Sequence, residues 1–88
     1  MSPTKEKEIL NGFISLIVTW TDRFKGSECN RYFVIGVDDF NRQEERSEYL
    51  YDLEKIAKTM YEYSQNSKVV KIELFMNGEI IGSLDVNH

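Results

Sequence analysis

The feature of this sequence that most constrains its fold is a hydrophobic period that changes from about 2 to about 3.6 and back along the chain. From residue 13 onward apolar residues alternate with polar ones, and β-branched and aromatic side chains dominate, which is typical of a strand. The alternating residues on one side are Ile14, Leu16, Val18 and Trp20. Residues 31–37 have the same character, so we predict an antiparallel hairpin joined by the polar loop 25–30.

A helical period follows this hairpin. Asp39 or Asn41 is suited to cap the helix, because a short side-chain oxygen accepts a backbone N–H of the first turn. Acidic residues near that start also suit the positive end of the helix dipole. The apolar residues that share one helical face are Leu50, Leu53, Ala57, Met60 and Tyr61. We therefore predict one long helix, which begins after this cap and ends in the polar stretch 64–67.

The C-terminal part of the sequence returns to the alternating period and predicts a second hairpin. The dipeptide Asn77-Gly78 is typical of a two-residue turn. That turn would pair Ile72 with Ser83 and mix the apolar and polar sides of the sheet. A loop one residue longer pairs Ile72 with Gly82 and keeps the apolar residues together. We therefore predict a three-residue loop with Gly78 in the left-handed conformation.

Together these segments predict a two-layer α+β domain with the order β-β-α-β-β, in which one long helix covers one face of a four-stranded sheet. Residues 1–88 then form a single small domain. Ser2 and Pro3 favour a short helical turn that ends at Asn11-Gly12, and a short strand is the alternative. A right-handed crossover gives the strand order 2-1-4-3, whereas a fully antiparallel order such as 1-2-4-3 fits the pattern equally well.

The charge of the chain restricts its partners. Fifteen acidic and 11 basic residues give a formal net charge of −4 and a pI of about 4.9. A net negative surface repels phosphate groups, so we expect no direct binding to nucleic acids and none to anionic membranes. Cys29 is the only cysteine, which excludes an intramolecular disulfide and a zinc cage of cysteines. The polar first residues do not form a signal peptide, and we expect a cytoplasmic protein.

Three acidic residues spaced four apart are the candidate for catalysis: Glu44, Glu48 and Asp52. On a helix they would share a face and could form a weak cation site, but the stretch lacks the ligand spacing of an EF-hand. The sole histidine is His88, at the last position, and no nucleophile or phosphate-binding signature is present. We therefore predict no enzymatic activity, cofactor or metal. A small metal-dependent or ligand-binding enzyme that uses these acids is the alternative.

One helix can cover only one face of the predicted sheet, so the other face should expose apolar side chains. The residues predicted on this second face are Phe13, Ile17, Tyr32, Val34, Phe75 and Ile81. A contiguous apolar patch on so small a chain is typical of an interface, and we expect a homodimer or another protein to cover it. The alternative is that the N-terminal segment folds over part of the patch.

The outward face of the predicted helix is acidic near its start, where Glu44, Glu48, Tyr51 and Asp52 lie. Such a face is often only solvated, and the alternative is that it docks a protein partner with a basic surface. We predict a small, non-catalytic protein-binding module that acts by occlusion or recruitment. By analogy with small phage-encoded inhibitors, its acidic surface could imitate phosphates and block a host defence protein that binds nucleic acid.

Overall fold

The computed structural model describes residues 3–22 and 30–86, which form two helices and four strands. The elements are α1 Pro3–Asp22, β1 Tyr32–Val37, β2 Gln43–Arg46, α2 Leu53–Ser64, β3 Lys71–Met76 and β4 Glu79–Asp85. The predicted α+β class is confirmed. The predicted order β-β-α-β-β and the single long helix are wrong, because the described elements follow the order α-β-β-α-β-β. Ser2, most of the predicted loop 25–30 with Cys29, and His88 lie outside the described residues.

Helix α1 stands where the sequence predicts the first strand. The helix begins at Pro3, which suits the first helical position, and it continues through Asn11-Gly12 without a turn. Its apolar residues also recur at helical spacing, and those that face the core include Leu10, Phe13, Ile14, Ile17 and Trp20. A short apolar run fits both periods. Burial against α2 and β4 therefore outweighs the strand preference of the β-branched residues.

The acidic stretch after β1 forms a hairpin loop and not the start of a helix. Asp38 Oδ1 accepts backbone hydrogen bonds of 2.9 Å from both Phe40 and Arg42, which closes the loop. Asn41 is in the left-handed conformation there, with φ of 59°. Short polar side chains favour turns as well as helix N-caps, and this ambiguity explains why the predicted helix start at Asp39 or Asn41 is wrong.

Helix α2 begins after Asp52, which is its N-cap. Asp52 has an extended backbone, with φ of −123° and ψ of 130°, and its carboxylate accepts a 3.1 Å hydrogen bond from the Glu54 N–H. Ala57 and Met60 are buried, which confirms their place on the apolar face. The helix ends at Ser64, at the predicted polar stretch.

The four described strands form one antiparallel sheet in the order β2-β1-β3-β4. A fully antiparallel sheet is therefore correct, and the order 2-1-4-3 with parallel neighbours is wrong. The order 1-2-4-3 is wrong as well. The first predicted strand is part of α1, and the second predicted strand, β1, pairs with the third, β3, and not with the fourth. In this central pair Tyr32 lies opposite Met76, and Val37 lies opposite Lys71.

The hairpin of β3 and β4 turns through two residues. Asn77 and Gly78 both have positive φ, 53° and 87°, and Met76 lies opposite Glu79. This is the two-residue turn that the dipeptide favours, so the predicted three-residue loop is wrong. The left-handed conformation predicted for Gly78 is confirmed.

A β-bulge next to this turn restores the apolar register. Phe75 lies opposite Ile80, but Leu74 lies opposite Gly82, so Ile81 is an extra residue in β4. Ile72 therefore lies opposite Leu84 and not opposite Gly82, so the predicted pairing is wrong, although the apolar residues still share one side of the sheet. Beyond the bulge, apolar residues of both strands face the core.

Helices α1 and α2 pack on the same side of the sheet. Trp20 from α1 and Met60 from α2 join one buried cluster with Val34, Ile72 and Leu74 from the strands. This cluster is the main core of the described chain. Within the described residues, no helix is long and apolar enough to cross a membrane.

Candidate functional site

The side of the sheet opposite the helices is the candidate functional site. Side chains alternate across a strand, so the neighbours of the core residues point away from the helices. On β1 and β3 these neighbours include Phe33, Ile35 and Phe75, and on β4 they include Ile80. No helix or strand of the described chain lies over them. We call this side the uncovered face.

A row of stacked side chains crosses the uncovered face. Phe33 lies opposite Phe75 in the register, and their rings stack with centroids 4.8 Å apart and an interplanar angle of 4°. The Arg46 guanidinium lies 4.6 Å from the centroid of the Phe33 ring. Because β2 and β3 flank β1 on opposite sides, Arg46 and Phe75 occupy opposite faces of the Phe33 ring. Ile80, opposite Phe75 on β4, extends the row to the edge of the sheet.

Tyr49 completes this row, and a bulge in the chain after β2 places it there. Ser47 lies opposite Val34, where its Oγ accepts a 2.9 Å hydrogen bond from the Val34 N–H. Pairing with β1 resumes at Leu50, so two residues of this segment oppose Phe33 alone. The second of them is Tyr49, whose ring packs edge-on against Phe33 with centroids 6.0 Å apart.

The stacked row contains the following residues: Arg46, Tyr49, Phe33, Phe75 and Ile80. We use the name aromatic row for this set. Phe33 is only 8% exposed, although no helix of the described chain covers it, because its neighbours in the row enclose it. Tyr49 and Ile80 are half-exposed, at 49% and 47%. The aromatic row therefore combines an enclosed ring, that of Phe33, with accessible apolar side chains at Tyr49 and Ile80.

Two arginines give the aromatic row a positive character. Arg31 lies over the Tyr49 ring, 5.1 Å from its centroid, and Arg46 lies over the Phe33 ring. Both arginines are exposed, and within residues 3–22 and 30–86 neither forms an ion pair with a carboxylate. By contrast, Lys71 on the same face has its Nζ 4.0 Å from a Glu73 carboxylate oxygen. On the uncovered face, the two cations beside the rings therefore have no carboxylate partner within the described residues.

The second face predicted from sequence does not form in the predicted way. The residues that are buried in the core cluster or packed against it are Ile17, Val34, Ile81, Phe13 and Tyr32. Of the six predicted residues only Phe75 lies on the uncovered face. The physical reason is that Phe13 and Ile17 belong to a helix, and that Tyr32 and Val34 point toward the helices.

The four predicted acidic-face residues do not share a helical face. Glu44 is in β2, where its carboxylate lies 3.9 Å from Lys68 Nζ. Glu48 and Tyr51 are in the segment between β2 and α2, and Asp52 caps α2. The described part of the chain contains no group of three or more His, Cys, Asp or Glu residues placed to hold a metal ion.

The loop between β1 and β2 contains a carboxyl group, that of Asp38, whose pKa is lowered. The Arg42 backbone N–H donates to the Asp38 carboxylate, and this bond holds the pKa of Asp38 below its ordinary value. Desolvation opposes the shift, while the Phe40 N–H and the Arg42 guanidinium, with Nε 3.2 Å from Oδ2, add to it. These bonds shape the loop, and they leave Phe40 exposed at its tip.

Comparison with known proteins gives no relative for this chain: no protein family, curated protein or solved structure matches it.

Proposed function

We propose that this chain is a non-catalytic protein-binding module that docks a segment of another protein on the uncovered face. The observation that carries the proposal is that both helices pack on one side of the sheet, while the aromatic row lies on the other. An exposed apolar patch bordered by polar groups is typical of an interface on a chain of this size. The module would act by occlusion or recruitment of the protein that carries the segment.

The composition of the aromatic row supports docking. Tyrosine and arginine are enriched among the residues that dominate binding energies, since they bring large contact area with few rotatable bonds or with fixed donor geometry. Tyr49 and Arg46 are held in place by Phe33, so little conformational freedom is lost when a partner binds. Truncation of such a residue at an interface centre costs about 2 kcal/mol or more of binding free energy.

The size of the uncovered face favours a segment of another protein over a second copy of the chain. Four strands of about six residues cover roughly 400 Å², from the spacing between strands and the rise along them. A stable interface buries about 800 Å² on each partner. A face-to-face homodimer would therefore have an undersized interface, whereas a peptide segment lying across the aromatic row fits the available area.

The acidic docking surface predicted from sequence stays a hypothesis with weaker support. Its residues lie on separate elements, and Asp52 and Glu44 already interact with α2 and with Lys68. Imitation of phosphates by that surface, and action as an inhibitor of a nucleic-acid-binding defence protein, would need acids arranged along one continuous surface.

The proposal can be tested by selecting random peptides displayed on phage against the purified protein and two variants. Ile80→Glu changes an aliphatic side chain that is 47% exposed in the aromatic row, and Val18→Glu changes one that is 49% exposed on α1. We expect the wild type and Val18→Glu to enrich peptides and Ile80→Glu to enrich none, with all three equally folded by circular dichroism. Enrichment that is equal on all three proteins, or absent from all, would contradict the proposal.

A further inference from the structure

We infer that the segment docked on the uncovered face is acidic, with carboxylates that bind Arg31 and Arg46 while aliphatic side chains contact Tyr49 and Ile80. This inference rests on the proposed function and specifies the chemistry of its partner. It also reverses the expectation from sequence, in which an acidic surface of this chain meets a basic partner.

The geometry of the two guanidinium groups carries the inference. Each lies over an aromatic ring, Arg31 over Tyr49 at 5.1 Å and Arg46 over Phe33 at 4.6 Å. A cation–π contact does not consume the N–H groups of a guanidinium, so they remain available as donors. These N–H groups match the two oxygens of a carboxylate, and such charge-assisted bonds are stronger than neutral ones.

The distribution of charge over the described residues points to the same partner. Arg42 pairs with Asp38, Lys68 with Glu44, and Lys71 with Glu73. Arg31 and Arg46 form no such pair within the described chain, and the other described cations for which this holds, Lys7, Lys55 and Lys58, lie on the helices. Two exposed cations without a carboxylate, next to half-exposed apolar side chains, are complementary to an acidic segment with aliphatic residues.

A nucleic acid fits this surface less well than an acidic protein segment. Both faces of the Phe33 ring are occupied, by Arg46 and by Phe75, so this ring cannot stack on a base. Phosphate binding also depends on several cations along the backbone, and the net charge of −4 opposes it.

The experiment is the same peptide selection, in which the enriched peptides are now sequenced. Binding and selection are then repeated with variants at Arg31 and Arg46. Peptides enriched on the wild type should be rich in Asp and Glu beside aliphatic residues. A synthetic copy of the most enriched peptide should bind at least about tenfold more weakly to Arg31→Gln/Arg46→Gln, since two charge-assisted hydrogen-bonding groups are removed. The charge reversal Arg31→Glu/Arg46→Glu should select basic peptides instead.

Arg42→Gln is the matched control, because Arg42 also lies over an aromatic ring, that of Phe40 at 5.0 Å, but belongs to the loop between β1 and β2 and not to the aromatic row. It should bind the acidic peptide as the wild type does. Enriched peptides that depend on Ile80 but carry no excess of acids would overturn this inference and leave the proposed function intact. Absence of any Ile80-dependent peptide would overturn both.

Two further outcomes would also overturn the inference. One is binding of a fluorescein-labelled oligothymidylate that Arg31→Gln/Arg46→Gln abolishes, which would make a single-stranded nucleic acid the partner. The other is a dimer in light scattering that Ile80→Glu dissociates, which would make a second copy of the chain the occupant.

Discussion

The Trp20 indole occupies the space that a side chain at position 82 would need. A Cβ built on Gly82 would overlap Cδ2 and Cε2 of the Trp20 ring, so the ring lies directly on the β4 backbone. Trp20 is near the end of α1 and is only 9% exposed. This contact joins α1 to the edge strand of the sheet, and it requires glycine at position 82.

The substitution Gly82→Ala should therefore lower the free energy of unfolding by about 2 kcal/mol, as is typical of overpacking in a core. Urea denaturation followed by circular dichroism would measure the change. The smaller aliphatic side chain of Trp20→Leu should recover part of the loss in the double variant, because the two positions are in contact. A Gly82→Ala protein as stable as the wild type would mean that Trp20 does not lie on β4.

The matched glycine is Gly12, in the middle of α1, where a Cβ would meet no other atom within 4 Å. Gly12→Ala should raise the free energy of unfolding by about 0.5–1 kcal/mol, because alanine loses less backbone entropy in a helix. Thermal unfolding should shift upward by a few degrees, on the order of 4–8 °C per kcal/mol for a domain of this size. A loss of stability would instead favour the turn at Asn11-Gly12.

The orientation of the side chains at the start of β4 can be tested with two neighbouring isoleucines. Ile80→Glu changes a half-exposed residue and should leave the free energy of unfolding nearly unchanged, whereas Ile81→Glu places a charge in the core. We expect Ile81→Glu to cost about 3 kcal/mol or more. Equal effects at both positions in a urea titration would show that Ile80 and Ile81 do not lie on opposite sides of the sheet.

The Asp38 carboxylate should make stability depend on pH. Because the hydrogen bond from the Arg42 N–H depresses its folded-state pKa, the ionised carboxylate stabilises the fold above its unfolded-state pKa. That contribution is lost as the pH falls through the lower folded-state pKa. Asp38→Asn should reduce stability at neutral pH and flatten this acid limb of the profile. The control is Asp39→Asn, at the exposed neighbouring position, which should keep the limb.

The solution mass should be that of a monomer. The uncovered face is roughly half as large as a stable interface requires on each partner, so we expect no dimer by light scattering over a micromolar concentration series. A dimer that Ile80→Glu dissociates would contradict this prediction, whereas a dimer that survives Ile80→Glu would place the self-association on another surface.

The first helix shows why part of the fold could not be predicted from sequence. Ile14, Ile17 and Val18 belong to a run that alternates and also repeats at helical spacing. Their β-branched side chains favour a strand, and only the packing of α1 on α2 and β4 decides for the helix. Burial between elements is not visible in a local pattern. The α2 face and the second hairpin could be predicted because each fits one period only.

Only part of the candidate site could be predicted from the sequence. Phe75 could be assigned to the face away from the helix from alternation along β3 alone. The row around it depends on register, since Phe33 meets Phe75 across two strands and Tyr49 reaches Phe33 through the bulge at Ser47. The sequence signal for that bulge is a single serine, which is too common in strands and loops to indicate it.

The order β2-β1-β3-β4 also has a consequence for how the chain reaches this fold. Each outer strand is joined to its neighbour by a short hairpin, whereas the central pair brings Tyr32 beside Met76 across the whole of α2. Closing that long loop costs chain entropy before the contacts of the core can compensate for it. The central pairing should therefore limit the folding rate. Substitutions between β1 and β3 should slow refolding, and those at the hairpin tips should mainly speed unfolding.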